Sequence, residues 1–521
     1  MGPGKRRQAR SLIRIPRTLS SFSPLHTACL ILCLCAASAH AQSSEPTELR
    51  RNDALLTLEY QSLKVPGDRS LDLMGFHAYQ RVLDGVYVGG GFYAPLVQGA
   101  YGGFVAADLG VHFRRRLAGP VFATAGLSAG GGGGGRSVEH SKLLSGSGGF
   151  GKGYLGLGYD LGSFTVGATV ARMKFRNALI DSTQAGLLLE MPFSYLTGPF
   201  SGRGQPLPPA DDRRAGLEMG ENMLTLSLDN YRQQHPQGSN KGTVQLADLQ
   251  YSHFFAADRY WFAALGMGYR GLPLYNQLLG GVGQRWRLTP DLTLYGQLGL
   301  GSGGYAPDVI DTGSGVLIYP KLALEYGLTR NMGLAFSLGY MTAPKGSSRN
   351  QTFGLSLTHH LRSGRSADSD GPASYQGLRF SVLHQTDLKP SYRGVAHPSL
   401  QMLGLQLDVP VGERWYVPLQ ASGAYTAYLG YPGYAEVLGG LGVQTHVVPG
   451  ERVQAFGQVM AGANVHGKTA KASAGLRYLL DERLALNLSA GRVESWGATG
   501  GRFTANNVAV GLDYRFSIPT R

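Results

Sequence analysis

The chain has 521 residues, with 48 Lys+Arg against 34 Asp+Glu (formal charge +14), 77 glycines, 10% aromatic and only 16% charged residues. So many aromatics with so few charges exclude a disordered chain. The basic residues are dispersed without a lysine-rich block, which gives no nucleic-acid footprint.

Residues 1–41 carry Lys5, Arg6, Arg7, Arg10, Arg14 and Arg17, then the apolar run Ala28 to Leu34, then Ala39-His40-Ala41. A basic segment, a short apolar core and a small-residue site are the pattern of a secretory signal peptide cut after Ala41. An uncleaved anchor is the rival reading, and the apolar run is short for it. All three cysteines (Cys29, Cys33, Cys35) lie in this leader, so the mature chain is expected to have neither disulfides nor thiolate metal sites. No later apolar run is long enough for a membrane-spanning helix.

From residue 53 onward a pattern recurs three times. Leu157-Gly-Tyr159-Asp-Leu161, Leu324-Glu-Tyr326-Gly-Leu328 and Leu476-Arg-Tyr478-Leu-Leu480 each precede a second alternating run. LLGGVG from Leu278 matches VLGGLG from Val437, and LYGQL from Leu294 matches AFGQV from Ala455, with VFATA from Val121 as a diverged copy. Such periodic self-similarity predicts three tandem units: 53–196, 216–361 and 377–516, joined by linkers 197–215 and 362–376. Each unit holds about eight apolar/polar alternating runs, the period of a half-buried β-strand. Connections alternate between tight turns, such as Val411-Gly-Glu-Arg414 and Leu480-Asp-Glu-Arg483, and longer Gly/Pro/Asn/Ser-rich loops around 130–149, 229–242 and 302–314.

The last run alternates Val508, Val510, Leu512, Tyr514 and Phe516 with Ala509, Gly511, Asp513 and Arg515. An exported all-β chain with an even strand number, short turns on one side and long loops on the other resembles the Gram-negative outer-membrane β-barrel proteins. The aromatic Phe516 resembles the end of their C-terminal recognition strand, although five residues follow it here. The resemblance spans about residues 53–516 and matches no particular family. It implies an antiparallel transmembrane β-barrel of about 24 strands in the bacterial outer membrane. It also implies lipid against the apolar face and the barrel assembly machinery as a partner in biogenesis. A soluble β-sandwich or propeller is the alternative.

Two closures fit the pattern: one wide ring, or three eight-stranded barrels each just wide enough for its own side chains. Phe122, Tyr295 and Phe456 take the same inward position in the three copies, among Ala, Gly, Ser, Thr and Gln, and with Asp513 and Arg515 they are the expected lumen-facing residues. The pairs Tyr260-Trp261 and Trp415-Tyr416 beside tight turns are expected to anchor at the membrane–water interface.

Motifs that imitate chemistry carry little. GSGGFGKG (Gly146 to Gly153) lacks the Ser/Thr and the following helix of a phosphate loop, and GLSAG (Gly126 to Gly130) has no helix after it. Glu139-His140-Ser141, His253, His384 and His466 form no recurring set of nucleophile, base and orienting carboxylate. His359-His360 reads as a tolerant interfacial position. Asp368-Ser-Asp370-Gly371 lacks the glutamate that closes a calcium loop. No catalytic, metal or cofactor site is expected. A wide ring would make the protein a passive conduit for solutes or an exported polymer. Filled barrels would make it a non-enzymatic structural or surface-interaction protein that presents its loops to a partner.

Overall fold

The computed structural model describes residues 49–208, 211, 221–329, 331–361, 374–446, 451–497 and 501–520. The signal-peptide reading, Asp368 to Gly371, the end of the first linker and most of the second lie outside these residues. Alternation makes strands almost everywhere, and the strands close on themselves three times.

The first barrel consists of β1 (Arg50–Leu63), β2 (Leu71–Leu83), β3 (Val86–Pro95), β4 (Val105–Ala118), β5 (Val121–Gly133), β6 (Gly149–Asp160), β7 (Thr165–Phe175) and β8 (Asp181–Thr197). It is sealed by β1 against β8, in a register running from Arg50 opposite Thr197 to Gln61 opposite Gly186. The second consists of β9 (Asn222–Gln233), β10 (Val244–Phe254), β11 (Arg259–Arg270), β12 (Asn276–Arg287), β13 (Leu292–Gly304), β14 (Val316–Gly327), β15 (Met332–Thr342) and β16 (Arg349–Leu361), and β16 seals onto β9. The third runs through β17 (Ser374–Tyr392), the two-residue β18 (Val395–Ala396), β19 (Leu400–Val411), β20 (Trp415–Ala424), β21 (Ala435–Gln444), β22 (Val453–Asn464), β23 (Gly467–Leu479), β24 (Leu484–Trp496) and β25 (Arg502–Thr520), with β17 sealed onto β25. The question of closure is thereby answered: there are three narrow barrels and no wide ring. Strands of 10 to 19 residues, the short β18 aside, are long enough to cross a bilayer when tilted.

The Gly-rich segment 130–149 is less of a loop than its composition suggests. Gly130 to Gly133 extend β5, and Val138–Ser145 forms helix α1, capped by the Ser137 side chain, which accepts from the His140 amide.

The barrels touch one another in a cyclic order. β3 packs on β13, β11 on β22 and β23, and β20 on β5. Each sets the third full strand of one barrel against the fifth of another, with β11 also reaching the sixth, so the heterologous contact closes into a pseudo-threefold ring. On the loop side, the Gly102 amide donates to the Gly313 carbonyl at 2.9 Å and Asn276 Nδ2 donates to the Gly103 carbonyl at 3.0 Å. Gly131 lets the third barrel approach, because a Cβ there would lie 2.6 Å from the Ala424 carbonyl oxygen. On the turn side, Gly198 and Ser517 exchange backbone hydrogen bonds of 2.8 and 3.1 Å, beside a cluster of Leu49, Leu196, Leu207 and Tyr375.

Candidate functional site

Successive residues on a strand point to opposite faces, and here the two faces are unlike. The outward face of the later strands is bare hydrocarbon: Leu155 is 69% exposed, Leu187 63%, Leu338 56% and Leu488 62%. In the first and third barrels the outward residues of the early strands, among them Leu56, Phe76, Leu403 and Leu405, are half-buried, as the pseudo-threefold packing requires. Three closed barrels with apolar outer walls and polar interiors leave no water-soluble arrangement of this chain. This is an outer-membrane β-barrel protein.

The interiors are packed. In the first barrel Lys152 Nζ lies 2.6 and 2.5 Å from the two Glu59 carboxylate oxygens and 3.2 Å from the Tyr93 hydroxyl, which donates to Asp108 at 2.9 Å. His77 Nε2 stands 3.1 Å from the same Asp108. In the second barrel Lys321 donates to Asp229 at 2.9 Å, and Gln277 bridges Asp248 and Tyr231 at 2.8 Å each. In the third, Lys471 reaches Glu436 at 3.1 Å and Gln385 at 2.7 Å. All three lysines sit on the sixth full strand of their barrel, facing inward. Nearer the turns an arginine fills each barrel: Arg114 lies 3.6 Å from the Phe122 ring centroid, Arg285 4.2 Å from that of Phe254 and Arg477 3.8 Å from that of Phe456.

Phe122, Tyr295 and Phe456 are buried in the barrel interiors, 5 to 6% exposed. Asp513 is fully buried, accepting from Arg477 at 3.1 Å and from Asn487 at 3.2 Å, and Arg515 is buried just below it, toward the turns. On the last strand Val508 and Val510 lie on the exposed outer wall, Leu512 is covered, and Tyr514 and Phe516 are half-buried. The strand continues past Phe516 to Thr520, pairing with Ser374 to Gly377.

The four interfacial aromatics divide. Trp415 is half-exposed on the outer wall and Trp261 is partly covered there, but Tyr260 and Tyr416 are fully buried inside their barrels. Their hydroxyls donate to Gln297 at 3.3 Å and Gln458 at 3.1 Å. Two adjacent strand residues cannot share a face, so the tryptophan of each pair faces the outer wall and its tyrosine, against the expectation of an interfacial anchor, faces the interior. His360 corrects a second expectation: it points inward, 3.0 Å from Glu325 and 3.3 Å from Glu221, while only His359 faces out.

The loop residues resembling chemistry serve structure. Arg136 and His140 converge on Asp68 at 2.5 and 3.4 Å, and the Ser141 hydroxyl donates to the Arg136 carbonyl. Burial, with the Arg136 charge beside it, holds the His140 imidazole below its usual pKa. His384 pairs with the Tyr425 hydroxyl at 2.6 Å and His253 with Asn222 at 2.8 Å. Among the described residues no group of His, Cys, Asp and Glu is disposed to hold a metal ion.

No family model and no curated protein matches the chain. Among solved structures it is similar to the ferric enterobactin receptor PfeA of Pseudomonas aeruginosa (10% identity, TM-score 0.29, covering 91% of this chain and 82% of the receptor). It is also similar to the KdgM porin (9% identity, TM-score 0.16, 56% of this chain and 98% of the porin). A third is the outer membrane protein Ail of Yersinia pestis (16% identity, TM-score 0.21, 27% of this chain and 99% of Ail). Identities and scores are low, and the architecture stands on the chain's own strand pairing.

Proposed function

We propose that this protein is a non-enzymatic surface-interaction protein of the outer membrane, in which three filled barrels act as a rigid raft for a composite loop-side face. The observation that carries this reading is the buried lysine on the sixth full strand of every barrel, paired with Glu59, Asp229 or Glu436 across the interior. An eight-stranded barrel is just filled by its side chains, and cross-barrel ion pairs close the remaining space. The loop side supports the same reading, because its loops bond across barrels: Ser314 Oγ, in a loop of the second barrel, donates to the Leu96 carbonyl of the first at 2.8 Å. The partner is a macromolecule or surface outside the cell, with outer-membrane lipid around the walls and the barrel assembly machinery engaged through the strand ending near Phe516.

A conduit for solutes or an exported polymer is the competing reading. It requires a continuous opening, and in its wide-ring form it has no counterpart in three separately closed barrels. Single-channel recording of residues 42–521 in planar bilayers tests the two. Silence from folded, inserted protein is expected; stable conductance steps would reinstate the conduit.

A further inference from the structure

The turn-side mouth of the third barrel holds more positive charge than its neighbours answer. Arg379 on β17 and Arg515 on β25 are direct cross-strand partners, and like charges placed opposite each other are destabilising. Arg379 is satisfied by Asp408 at 2.8 and 2.6 Å and by Gln444 at 3.1 Å. Arg477 donates Nε to Asp513 at 3.1 Å and Nη2 to Asp408 at 3.3 Å, while its Nη1 has no hydrogen-bond partner among the described residues. Arg515 is the least answered: it is 8% exposed, and its buried Nε and Nη1 atoms have no hydrogen-bond partner among the described residues.

The linker from the first barrel covers this mouth. Phe200, in a single 3-10 turn (Phe200–Gly202), is buried with Arg515 4.5 Å and Arg203 4.8 Å from its ring centroid. Two guanidinium groups therefore share one aromatic ring. Four arginines (Arg203, Arg379, Arg477, Arg515) converge here on two buried aspartates, Asp408 and Asp513. Other carboxylates lie around it: Glu482 accepts from the Ser201 hydroxyl, Asp211 accepts from the Tyr375 hydroxyl at 3.3 Å, and Glu413 is largely exposed beside His446. The other two barrels have no such surplus, since Arg114 is answered by Glu190 and Arg285 by Glu221. A buried guanidinium with unmet donors requires an anion or ordered water, and arginine's planar fork suits an oxyanion.

We propose that the turn-side mouth of the third barrel is an anion-binding site in which Arg515 and Arg203, backed by Arg379 and Arg477, hold an oxyanion of the phosphate class. The site is reached from the periplasmic side, beneath the linker turn, and the bound anion ties that linker to the barrel. The same chemistry is offered by free phosphate and by the phosphate of an anionic lipid headgroup.

The test is thermal unfolding of the full mature chain, in detergent micelles with inorganic phosphate against chloride at equal ionic strength, and in phosphatidylglycerol against phosphatidylcholine bilayers. Phosphate is expected to raise the midpoint of the wild type, and in Arg515→Met the apparent affinity falls by about tenfold, the loss of one charge-assisted contact. Stabilisation confined to phosphatidylglycerol bilayers, and lost in the variant, assigns the anion to a lipid headgroup. Equal response of wild type and variant, or no response to either source, overturns the proposal. Arg203→Gln, which leaves the barrel wall untouched, gives the same comparison if Arg515→Met does not fold.

Discussion

Lys152 and Glu59, which lie 93 residues apart in the chain, meet inside the first barrel with the ammonium nitrogen 2.6 and 2.5 Å from the two carboxylate oxygens. Both are buried, so removing one partner strands the other's charge in a low-dielectric interior. Lys152→Met is expected to cost about 3–5 kcal/mol. The double substitution Glu59→Leu with Lys152→Met should recover most of that loss, because two apolar side chains leave no orphaned charge. Urea titration of the wild type, both single variants and the double variant, followed by circular dichroism of the strand signal, gives the coupling. A double variant no better than Lys152→Met alone would mean that His77 and Asp108 hold the network without the pair.

The all-β class and the three tandem eight-stranded units were legible because they depend on local alternation and on turn composition. The interior was legible only in part. Phe122, Tyr295 and Phe456 stood out as large residues among small ones at one repeated position. The lysines did not, because Lys152 fell within a phosphate-loop look-alike, and Lys321 and Lys471 are isolated charges whose partners come from distant strands. The signal that finds them is phase: each lies on the inward phase of its strand, where an unpaired charge is costly. The closure into three barrels depends on β8, β16 and β25 returning to β1, β9 and β17, and no local pattern encodes that pairing.

The divided aromatic pairs give a spectroscopic expectation. Trp415 is half-exposed on the outer wall, whereas Tyr416 is buried against Gln458. In a protein whose other three tryptophans (Trp261, Trp286, Trp496) are replaced by phenylalanine, lipid-attached quenchers should quench Trp415 strongly near the turn-side interface. Tyr416→Phe should leave that quenching unchanged while lowering stability by about 1 kcal/mol, the net worth of one buried hydrogen bond. Strong quenching that vanishes in Tyr416→Phe would place the tyrosine on the lipid side after all.

His466, in the loop between β22 and β23, predicts a pH response confined to the loop side of the third barrel. Its ring stacks on Tyr392 at 4.2 Å between centroids and Nε2 lies 2.7 Å from the Tyr428 hydroxyl. Burial first, then the nearby charges of Arg393 and His397, push its pKa down to about 4. The unfolded loop takes up a proton near pH 6.5 while the folded one does not, so stability declines as pH falls from about 6.5 to about 4 and levels off below. Protection factors of the amides around Tyr392 and Gly467, corrected for the intrinsic pH dependence of exchange, should fall as pH drops through that window in the wild type, and the response should be absent in His466→Phe. Protection factors that are flat with pH in the wild type would contradict the assignment.

The pseudo-threefold ring rests on glycines at the loop ends. Gly131 faces the third barrel, where a Cβ would meet the Ala424 carbonyl at 2.6 Å and the Tyr425 Cα at 3.1 Å, and Gly133 stands against Pro432. These are backbone atoms or a ring, with no flexible side-chain end to move aside, so Gly131→Val should separate β5 from β20 and leave each barrel closed. Overpacking of this kind costs about 1–3 kcal/mol, borne by the contact between barrels and not by the strand ladders. Paired spin labels on the loop sides of the first and third barrels should report a longer and broader distance distribution in Gly131→Val, with the strand content unchanged. A distribution identical to the wild type would mean that the turn-side contact of Gly198 with Ser517 is enough to hold the two barrels in place.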